Sequence, residues 1–383
     1  MKLLEYQAKN LFETYGLSVM KGCVVDELAT IPTKIQEAGL QYPVVIKAQV
    51  QIGGRGKAGG IQFADSAAEA ITQAQALLFK DIRGLTANEL LIVEKANVKR
   101  EWYLSILLDR SSKSPMIIFS PQGGMDIEET AKTQPEAIAK VAVNPFIGIK
   151  DYHIDYLLSV PGADQSCKAQ LTDTVQKLYQ LFMDYNALLV EINPLAMDEQ
   201  CQLLALDGKI DIDDSALYKL PDIIAYQTHL QEDPMVLEAR KFHFLYIPVE
   251  ETGDIAVMSN GSGLLMSCID LLAKNGMTVS SALDLGGGAT ADRIKEAVNI
   301  LLRSGRVNTL MICVFGGITR CDEVVEGVRL ALAEQAEKKT VVIRMEGTNK
   351  ERAMEIVQSV SDQVMTARSI PDAVDMLAKK RGA

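Results

Sequence analysis

The residues best suited to binding chemistry lie in the segment Lys47-Ala-Gln-Val-Gln-Ile-Gly-Gly-Arg-Gly-Lys-Ala-Gly-Gly60. It contains five glycines and three cations, which are Lys47, Arg55 and Lys57. Glycines allow backbone N–H groups to converge on an anion, and the cations would balance the charge of a polyphosphate. Apolar residues on either side indicate two strands of a hairpin. We therefore predict a loop that covers phosphate groups, and not the phosphate loop that opens a helix directly after Gly-Lys.

A second group of polar residues interrupts an apolar strand predicted over residues 188–195. Glu191 and Asn193 lie two positions apart, so their side chains point to the same face of this strand. A hairpin returns over residues 202–209 and carries Asp207 near its end. Polar groups in an apolar strand cost free energy unless something pairs with them, and carboxylate and amide oxygens suit Mg²⁺. We favour a metal or phosphate site here over a solvated sheet face.

Glu94 ends a buried strand predicted over residues 90–94. A carboxylate in this position can accept hydrogen bonds from a nucleotide base or a ribose. An ordinary exposed strand end is an equally good interpretation of this residue by itself.

The elements that must position these residues follow from hydrophobic periodicity and turn residues. Helices are predicted over residues 3–15, 31–38, 65–79 and 170–184, and further strands over 23–25, 43–46, 61–63, 102–109 and 115–119. Strand periodicity is then lost over residues 211–253, where prolines recur. We place the domain boundary there, between a first domain over residues 1–240 and a second over 241–383.

Strands and helices alternate beyond this boundary, which predicts a parallel sheet covered on both faces. Ligands bind at the carboxyl ends of the strands in such folds. We therefore expect a surface for a phosphate, a carboxylate or another chain where glycine-containing turns follow the strands. The predicted strands are 255–258, 282–285, 310–315, 341–343 and 364–365, and the turns are 260–263, 286–290, 316–319 and 346–349.

The composition restricts the class of protein. A length of 383 residues is enough for two or three domains, and a net charge of −11 argues against nucleic acid and against anionic membranes. No apolar run approaches a membrane span, and no targeting peptide precedes the first helix. The six cysteines form no Cys-x-x-Cys pair, which fits a reducing cytoplasm. The histidines, His153, His229 and His243, have aromatic or apolar neighbours, and we interpret each as structural.

Seven motifs together resemble the β subunits of ADP-forming succinyl-CoA synthetase, the succinate–CoA ligase family. They are Leu3-Leu-Glu-Tyr-Gln-Ala-Lys9, Gly53-Gly-Arg-Gly-Lys-Ala-Gly-Gly60, Glu191-Ile-Asn-Pro194, Leu206-Asp-Gly-Lys209, Gln231-Glu-Asp-Pro234, Gly286-Gly-Gly-Ala-Thr290 and Phe315-Gly-Gly-Ile318. The resemblance covers nearly the whole chain. It implies an α/β and α+β fold, with an N-terminal ATP-grasp domain followed by a C-terminal flavodoxin-like domain, a doubly wound parallel sheet.

The resemblance also implies roles for individual residues. The residues implied to bind the nucleotide are Lys47, Gly54, Arg55, Gly56, Glu94, Asn97 and Glu101, and those implied to bind Mg²⁺ are Asn193 and Asp207. The dicarboxylate would be bound by Asn260, Gly317, Ile318 and Thr319. A helix that faces a phosphohistidine would start at Gly286, Gly287 and Gly288. The segment 95–100 departs from the small residues usual in the family. Ser262 and Thr319 stand where alanine and valine are usual, which bears on the choice of acid.

The reaction implied is succinate + CoA + ATP ⇌ succinyl-CoA + ADP + phosphate, a step of the tricarboxylic acid cycle. Phosphate passes from ATP to a histidine and then to succinate, and CoA attacks the succinyl phosphate. An α subunit carries this histidine and most of the CoA site, which agrees with the lack of a plausible catalytic histidine here. Glu191 is the implied catalytic residue, because its carboxylate would orient the imidazole of the partner.

Other interpretations stay open at this point. A malate–CoA ligase β subunit has similar loops. A regulatory subunit that binds nucleotide without turnover would not need Lys47, Asn193 and Asp207 together. A free-standing ATP-grasp ligase would not need the second domain. The sequence leaves open ATP against GTP, αβ against (αβ)₂ assembly, and the direction of the reaction.

Overall fold

The computed structural model describes residues 1–124, 127–199, 201–303 and 305–381. The chain divides into two compact units, Met1–Gln231 and Glu232–Ala383. None of the helices in the described ranges is long and apolar enough to cross a lipid bilayer.

The described residues of unit 1 form two larger β-sheets, a small two-stranded sheet and helices. Its elements are α1 (Glu5–Thr14), β1 (Gly22–Val25), α2 (Ile31–Glu37), β2 (Val44–Ala48), β3 (Ile61–Ala64), α3 (Ala67–Leu77), β4 (Asp81–Ile82), β5 (Leu85–Thr86), β6 (Leu90–Glu94), β7 (Arg100–Asp109), β8 (Ser114–Ser120), α4 (Ile127–Thr133), β9 (Ala139–Ala142), α5 (Asp151–Leu157), α6 (Lys168–Asp184), β10 (Ala187–Met197), β11 (Leu203–Ala205), β12 (Lys209–Ile212) and α7 (Pro221–Ala225).

The first sheet of unit 1 is antiparallel, with the strand order β1-β6-β2-β3. β2 and β3 pair as a hairpin in which Lys47 lies opposite Ile61, so the hairpin predicted around the glycine-rich segment is confirmed. Helices α2 and α3 bury their apolar residues with those of the sheet, among them Ile35 and Ala74. The hydroxyl of Ser66 caps α3 as expected, because it accepts a hydrogen bond from the third amide of the helix.

The second sheet of unit 1 is organised around the long strand β10. Its order is β11-β10-β7-β8-β9, and β12 also pairs with β10. The predicted return hairpin is therefore two short strands, which pair with different parts of β10. The pairing of β10 with β7 shifts register between Ile192 and Leu195, so the regular pairing is interrupted at Asn193. Trp102 and Phe119 pack edge to face at 5.3 Å in the apolar core that α6 covers.

The described residues of unit 2 form one six-stranded sheet with helices on both faces. Its elements are α8 (Pro234–Lys241), β13 (Leu245–Pro248), β14 (Ile255–Ser259), α9 (Ser262–Lys274), β15 (Val279–Asp284), α10 (Ala291–Leu302), β16 (Thr309–Gly316), α11 (Cys321–Ala333), β17 (Thr340–Gly347), α12 (Lys350–Gln358), β18 (Val364–Ala367) and α13 (Ile370–Arg381).

The strand order of unit 2 is β13-β15-β14-β16-β17-β18, and β14 to β18 are parallel. Counted along the chain, the parallel strands follow the order 2-1-3-4-5 of flavodoxin-like folds. The predicted parallel sheet is thus confirmed. Its topological switch point lies between β14 and β16, where ligands bind in folds of this kind.

Two features near the start of unit 2 differ from the sequence-based expectation. The segment thought to lack strands contains β13, an antiparallel edge strand. Its residues Leu245-Tyr-Ile-Pro248 are a continuous apolar run that is mostly exposed, so no alternation of apolar and polar residues indicates it. The chain divides after Gln231 and not after residue 240, because α8 packs in unit 2. Ala239 and Phe244 belong to the same buried cluster as Ile294.

Candidate functional site

A cavity of about 750 Å³ in unit 1 collects most of the polar residues singled out in its sequence. Both sheets contribute to its wall. The lining residues are Met20, Val45, Lys47, Gly53, Gly54, Arg55, Gly56, Lys57, Ile61, Phe63, Arg83, Val93, Glu94, Lys95, Ala96, Val98, Glu101, Gly124, Ile127, Glu128, Glu191, Asn193, Pro194, Leu206, Asp207 and Lys209. Of the unit 1 residues named from the family resemblance, Asn97 alone is missing from this lining, and its side chain is exposed.

The glycine-rich loop folds back on itself between β2 and β3. The amide of Gly60 donates to the carbonyl of Arg55 at 2.8 Å, and the amide of Ala48 donates to the carbonyl of Gly60 at 2.9 Å. Gly54 has a φ of +74°, a conformation that a residue with a side chain rarely adopts. The backbone of residues 53, 54 and 56 is exposed beside the cavity, whereas the Arg55 side chain is buried.

Glu5 joins three cations beneath this loop. Its carboxylate lies 2.8 Å from the ammonium of Lys47, 2.9 Å from that of Lys9 and 2.8 Å from the guanidinium of Arg55. Burial alone would raise the pKa of Glu5, but Lys9, Lys47 and Arg55 outweigh it and hold this pKa far below its usual range. Burial also lowers the pKa of Lys9. Neither Glu5 nor Lys9 was assigned a role from the sequence, although both lie in the family motif Leu3-Leu-Glu-Tyr-Gln-Ala-Lys9.

Arg55 links this network to the predicted metal ligand Asp207. Its guanidinium donates to both carboxylate oxygens of Asp207, at 2.8 and 2.9 Å. Burial would lower the pKa of Arg55, but the charges of Asp207 and Glu5 raise it, so the side chain stays cationic. One guanidinium therefore neutralises two acids that come from distant parts of the chain.

Glu191 and Asn193 face the same cavity, as the alternation of β10 predicts. The side-chain oxygen of Asn193 accepts a hydrogen bond from the amide of Gly124 at 2.8 Å. Burial and the neighbouring Glu191 carboxylate raise the pKa of Tyr103. The oxygen atoms of Asn193 and Asp207 are hard ligands of the kind that Mg²⁺ prefers, and each now bonds to an N–H donor. The donor set thus fits a magnesium ion.

The cavity also has an apolar part, which the sequence analysis did not identify. Phe63, Val45 and Val93 are opposite one another on β3, β2 and β6, so they form a row across the sheet. Glu94 follows directly on β6, and its carboxylate accepts a hydrogen bond from the amide of Gln41 at 2.8 Å. A planar base could lie against this row with a carboxylate at its edge. In the sequence, only the alternation of Ile61, Gln62 and Phe63 on β3 points to this row, because β6 is a continuous apolar run.

The predicted residues of unit 2 lie on the turns at the carboxyl ends of its strands. The side-chain amide of Asn260 donates to the carbonyl of Phe315 at 2.8 Å, and its oxygen accepts from the amide of Phe315 at 3.1 Å. The hydroxyl of Thr319 accepts a hydrogen bond from the amide of Gly288 at 3.0 Å. Asn260 thus ties together the two turns at the switch point, and Thr319 connects one of them to the triple-glycine turn.

The triple-glycine turn leads into α10. Gly286 and Gly288 have φ values of +67° and +70°, whereas no positive φ occurs at Gly287. The first amide of α10, that of Ala291, donates to the carboxylate of Glu323 at 2.7 Å. All four glycine-containing turns lead into a helix, where two were expected to do so directly.

Comparison with known protein families finds a matching family model in each unit. The family model described as "ATP-grasp domain" matches residues 2–197, and the model described as "CoA-ligase" matches residues 258–376. The chain therefore joins an ATP-grasp domain to a CoA-ligase domain, as expected.

Curated relatives narrow this class. The succinate–CoA ligase (ADP-forming) β subunit of Pyrobaculum islandicum is 41% identical over 372 residues, which cover 94% of each chain. That of Desulfotalea psychrophila is 37% identical over 385 residues, which cover 99% of each chain. The chain belongs to the family of succinate–CoA ligase (ADP-forming) β subunits. It is thus a subunit of an acid–thiol ligase, and the predicted enzyme class is confirmed.

A solved structure supports the fold. ATP citrate lyase from Methanothrix soehngenii aligns over 99% of both chains, with a TM-score of 0.78 at 18% sequence identity. At this identity the similarity concerns the fold alone.

Proposed function

We propose that unit 1 binds the magnesium complex of ATP and that the chain catalyses, with an α subunit, succinate + CoA + ATP ⇌ succinyl-CoA + ADP + phosphate. The observation that carries this proposal is that residues suited to binding phosphates, a metal ion and a base all line the same cavity. The glycine-rich loop suits phosphates, Asn193 and Asp207 suit a metal ion, and the row at Val45 suits a base.

Lys47 and the loop backbone are proposed to hold the phosphates. The Lys47 ammonium already donates to Glu5 and to the carbonyl of Leu206, each at 2.8 Å. A lysine has three donors, so a phosphate oxygen would take the third. The amides of Gly54, Arg55 and Gly56 would add donors that carry no side-chain charge.

The other end of the nucleotide is proposed to lie against Val45, Phe63 and Val93. Glu94 and Glu101 would accept hydrogen bonds from the base or the ribose, whose N–H and O–H groups are donors. Asn97 remains part of this proposal, although it lies outside the cavity lining. It lies between Ala96 and Val98, which both line the cavity, so a local rotation of the chain would bring it to a ligand.

Asn193 and Asp207 are proposed to hold Mg²⁺. When bound, the ion would neutralise charge on the nucleotide phosphates. Arg55 would have to release at least one oxygen of Asp207, and its guanidinium would then be available to a phosphate. The ion pair of Arg55 with Glu5 can persist during this change.

Glu191 is proposed to orient a histidine of the α subunit. A carboxylate that accepts the imidazole N–H fixes the ring and favours its protonated form. This role places Glu191 beside the transferring phosphate without direct contact with it. The position of Glu191 beside Asn193 in the cavity lining supports the role.

Unit 2 is proposed to present its turns to the α subunit and the dicarboxylate. Asn260 and residues 317–319 would bind succinate, and residues 286–288 would lie opposite the phosphohistidine. Exposed apolar side chains at the same sheet edge support a protein partner, since Phe315 is 52% and Ile318 is 85% exposed. The proposal also includes a cytoplasmic location, which free cysteines suit.

The test is thioester formation from ATP, Mg²⁺, CoA and succinate, with and without the cognate α subunit. We expect activity only in the pair, with GTP and malate as poorer substrates in parallel assays. Activity of this chain alone would refute the placement of the histidine on a partner. A rate with malate above that with succinate would identify a malate–CoA ligase instead.

A variant separates nucleotide binding from phosphate transfer. Glu191→Gln should slow phosphorylation of the α subunit about 100-fold, because an amide cannot stabilise an imidazolium. Nucleotide affinity should stay close to that of the parent. The matched control is Glu199→Gln, which removes an exposed carboxylate paired with Lys99. Phosphorylation at the parent rate in Glu191→Gln would exclude the proposed role.

A further inference from the structure

Three potential metal ligands of unit 1 converge away from the nucleotide cavity. They are Asp164, Cys167 and Cys201, whose ligand atoms all lie within 4.8 Å of one another. None of them lines the cavity described above or the small cavity of about 110 Å³ beside Glu5 and Asp207. The proposed nucleotide and magnesium chemistry therefore does not use them.

The three residues come from two chain segments that fold against each other. Asp164 caps a short turn, and its carboxylate accepts hydrogen bonds from the amide and hydroxyl of Ser166 at 3.1 and 2.6 Å. Cys167 directly precedes α6 and is fully buried. Cys201 lies between β10 and β11 with a φ of +59°, and its sulfur is 3.3 Å from the Ser166 hydroxyl. Backbone geometry thus holds the thiol of Cys201 against the start of α6.

Two neighbours complete the surroundings. The thiol of Cys167 donates to the thioether sulfur of Met197 at 3.1 Å. Arg100 lies 3.5 Å from the second oxygen of Asp164 and partly balances its charge. The cluster therefore offers sulfur and carboxylate donors in a half-buried position, with one cation at its edge.

We propose that Asp164, Cys167 and Cys201 form a binding site for a thiophilic divalent cation, with Zn²⁺ as the expected ion. Sulfur donors exclude Mg²⁺ and Ca²⁺ as the preferred ions, whereas zinc accepts thiolate together with carboxylate. Ligands on one tetrahedral zinc ion are roughly 3.5–3.8 Å apart, given Zn–S bonds of about 2.3 Å. Small rotations of these side chains are enough to reach that geometry.

Binding would form two Zn–S bonds and one Zn–O bond, and each thiol would release its proton to solvent. No oxidation is involved. The ion would connect the start of α6 to the end of β10, the strand that carries Glu191 and Asn193. The ion would thus hold these two segments together, and because the chain supplies three ligands, the fourth tetrahedral position would be left for water.

The test uses the full chain, reduced and freed of metal, in a competition titration of Zn²⁺ against a chromophoric chelator. We expect one zinc ion per chain. Cys201→Ser should weaken binding about 100-fold and Asp164→Asn about tenfold, since the first replaces a thiolate by a neutral hydroxyl and the second replaces a carboxylate by a neutral amide. Cobalt substitution should give thiolate-to-metal absorption that Cys201→Ser loses. Cys201 is not fully buried, so this variant should fold even if a Cys167 variant does not.

Two control variants isolate the site. Cys23→Ser removes another half-buried thiol of unit 1 and should leave zinc binding unchanged. Cys268→Ala removes one of two neighbouring buried thiols in unit 2 and should also leave it unchanged. Equal affinity in the parent and in Cys201→Ser, or loss of binding in Cys268→Ala alone, would overturn the proposal. A disulfide between Cys167 and Cys201 without zinc affinity in the reduced chain would identify a redox pair instead.

Discussion

The candidate sites of the two units use opposite means to present a binding surface. In unit 1, buried charged side chains from distant parts of the chain meet around Glu5, and Arg55 extends the network to Asp207. In unit 2, turns at the carboxyl ends of strands expose backbone beside apolar side chains, and hydrogen bonds between turns, such as that from Gly288 to Thr319, fix their shape.

This difference shows where each site is vulnerable. Unit 1 depends on charge balance, because a buried charge without its partner is costly. Unit 2 depends on backbone conformation, because glycine adopts positive φ much more readily than residues with a side chain. Charge variants should therefore damage the first site and added side chains the second.

The largest effect is expected at the centre of the charge network. Glu5→Gln should lower the free energy of unfolding by about 3–5 kcal/mol, because it leaves buried cations without their shared anion. Urea denaturation measures this change, and Glu13→Gln on the exposed side of the same helix is the control. A change of the same small size in both variants would show that the network adds no stability.

The lowered pKa of Glu5 predicts that the stability of the folded chain depends on pH. The pKa of Glu5 is lower in the folded than in the unfolded chain, so the stabilisation is complete at neutral pH and declines as the pH falls below about 4.5. Acid should therefore destabilise the parent more steeply than Glu5→Gln. Parallel slopes of stability against pH below that value would contradict this.

Next in size is the loss of the proposed metal ligand. Asp207→Asn should reduce thioester formation with the α subunit about 100-fold, since one charged ligand is lost and Arg55 loses a partner. Raising the Mg²⁺ concentration should recover part of the rate. Asp173→Asn, which removes an exposed carboxylate paired with Lys177, should retain full activity. Magnesium dependence identical in all three chains would place the metal elsewhere.

Backbone variants of unit 2 should act more weakly. Gly288→Ala and Gly286→Ala should each cost about 1 kcal/mol, because both glycines adopt positive φ. Gly287→Ala is the matched control, because its φ is not positive and a Cβ there meets no atom within 4 Å. We expect slower ligation in the first two variants and unchanged nucleotide affinity in all three. Equal effects at the three positions would show that conformation is not the cause.

The smallest expected effect concerns the start of α10. Glu323→Gln removes a negative charge from the first amide of this helix and should strengthen binding of the phosphorylated α subunit about two- to fivefold. Glu296→Gln, farther along the same helix, is the control. Weaker binding in Glu323→Gln would mean that the carboxylate serves mainly to hold the turn.

Much of the fold and the site could be predicted because the signals are local. The glycines predicted a binding loop that includes residues 53–57, and strand alternation predicted that Glu191 and Asn193 share one face of their strand. All of these residues line the cavity. Glu5 was missed because an acid in the first turn of a helix is ordinary by itself. Its role comes from Lys47 and Arg55, which only the tertiary fold brings near.

Other differences have similar physical causes. β13 is an edge strand made of the continuous apolar run Leu245-Tyr-Ile-Pro248, so no alternation indicates it. The row at Val45 spans three strands and depends on their register. Only the family resemblance pointed to Asn97, and a resemblance in sequence does not indicate which side of a turn faces a cavity.

The ion pair of Arg55 with Asp207 bears on the order in which ligands arrive. The charge of the Asp207 carboxylate is already balanced by Arg55, so a free divalent cation would gain little electrostatic free energy by binding there. If unit 1 binds nucleotide as proposed, the negative charge of the phosphates would draw the guanidinium toward them and would free Asp207 for the ion that accompanies the nucleotide. The chain would thus admit metal together with its nucleotide in preference to metal dissolved alone.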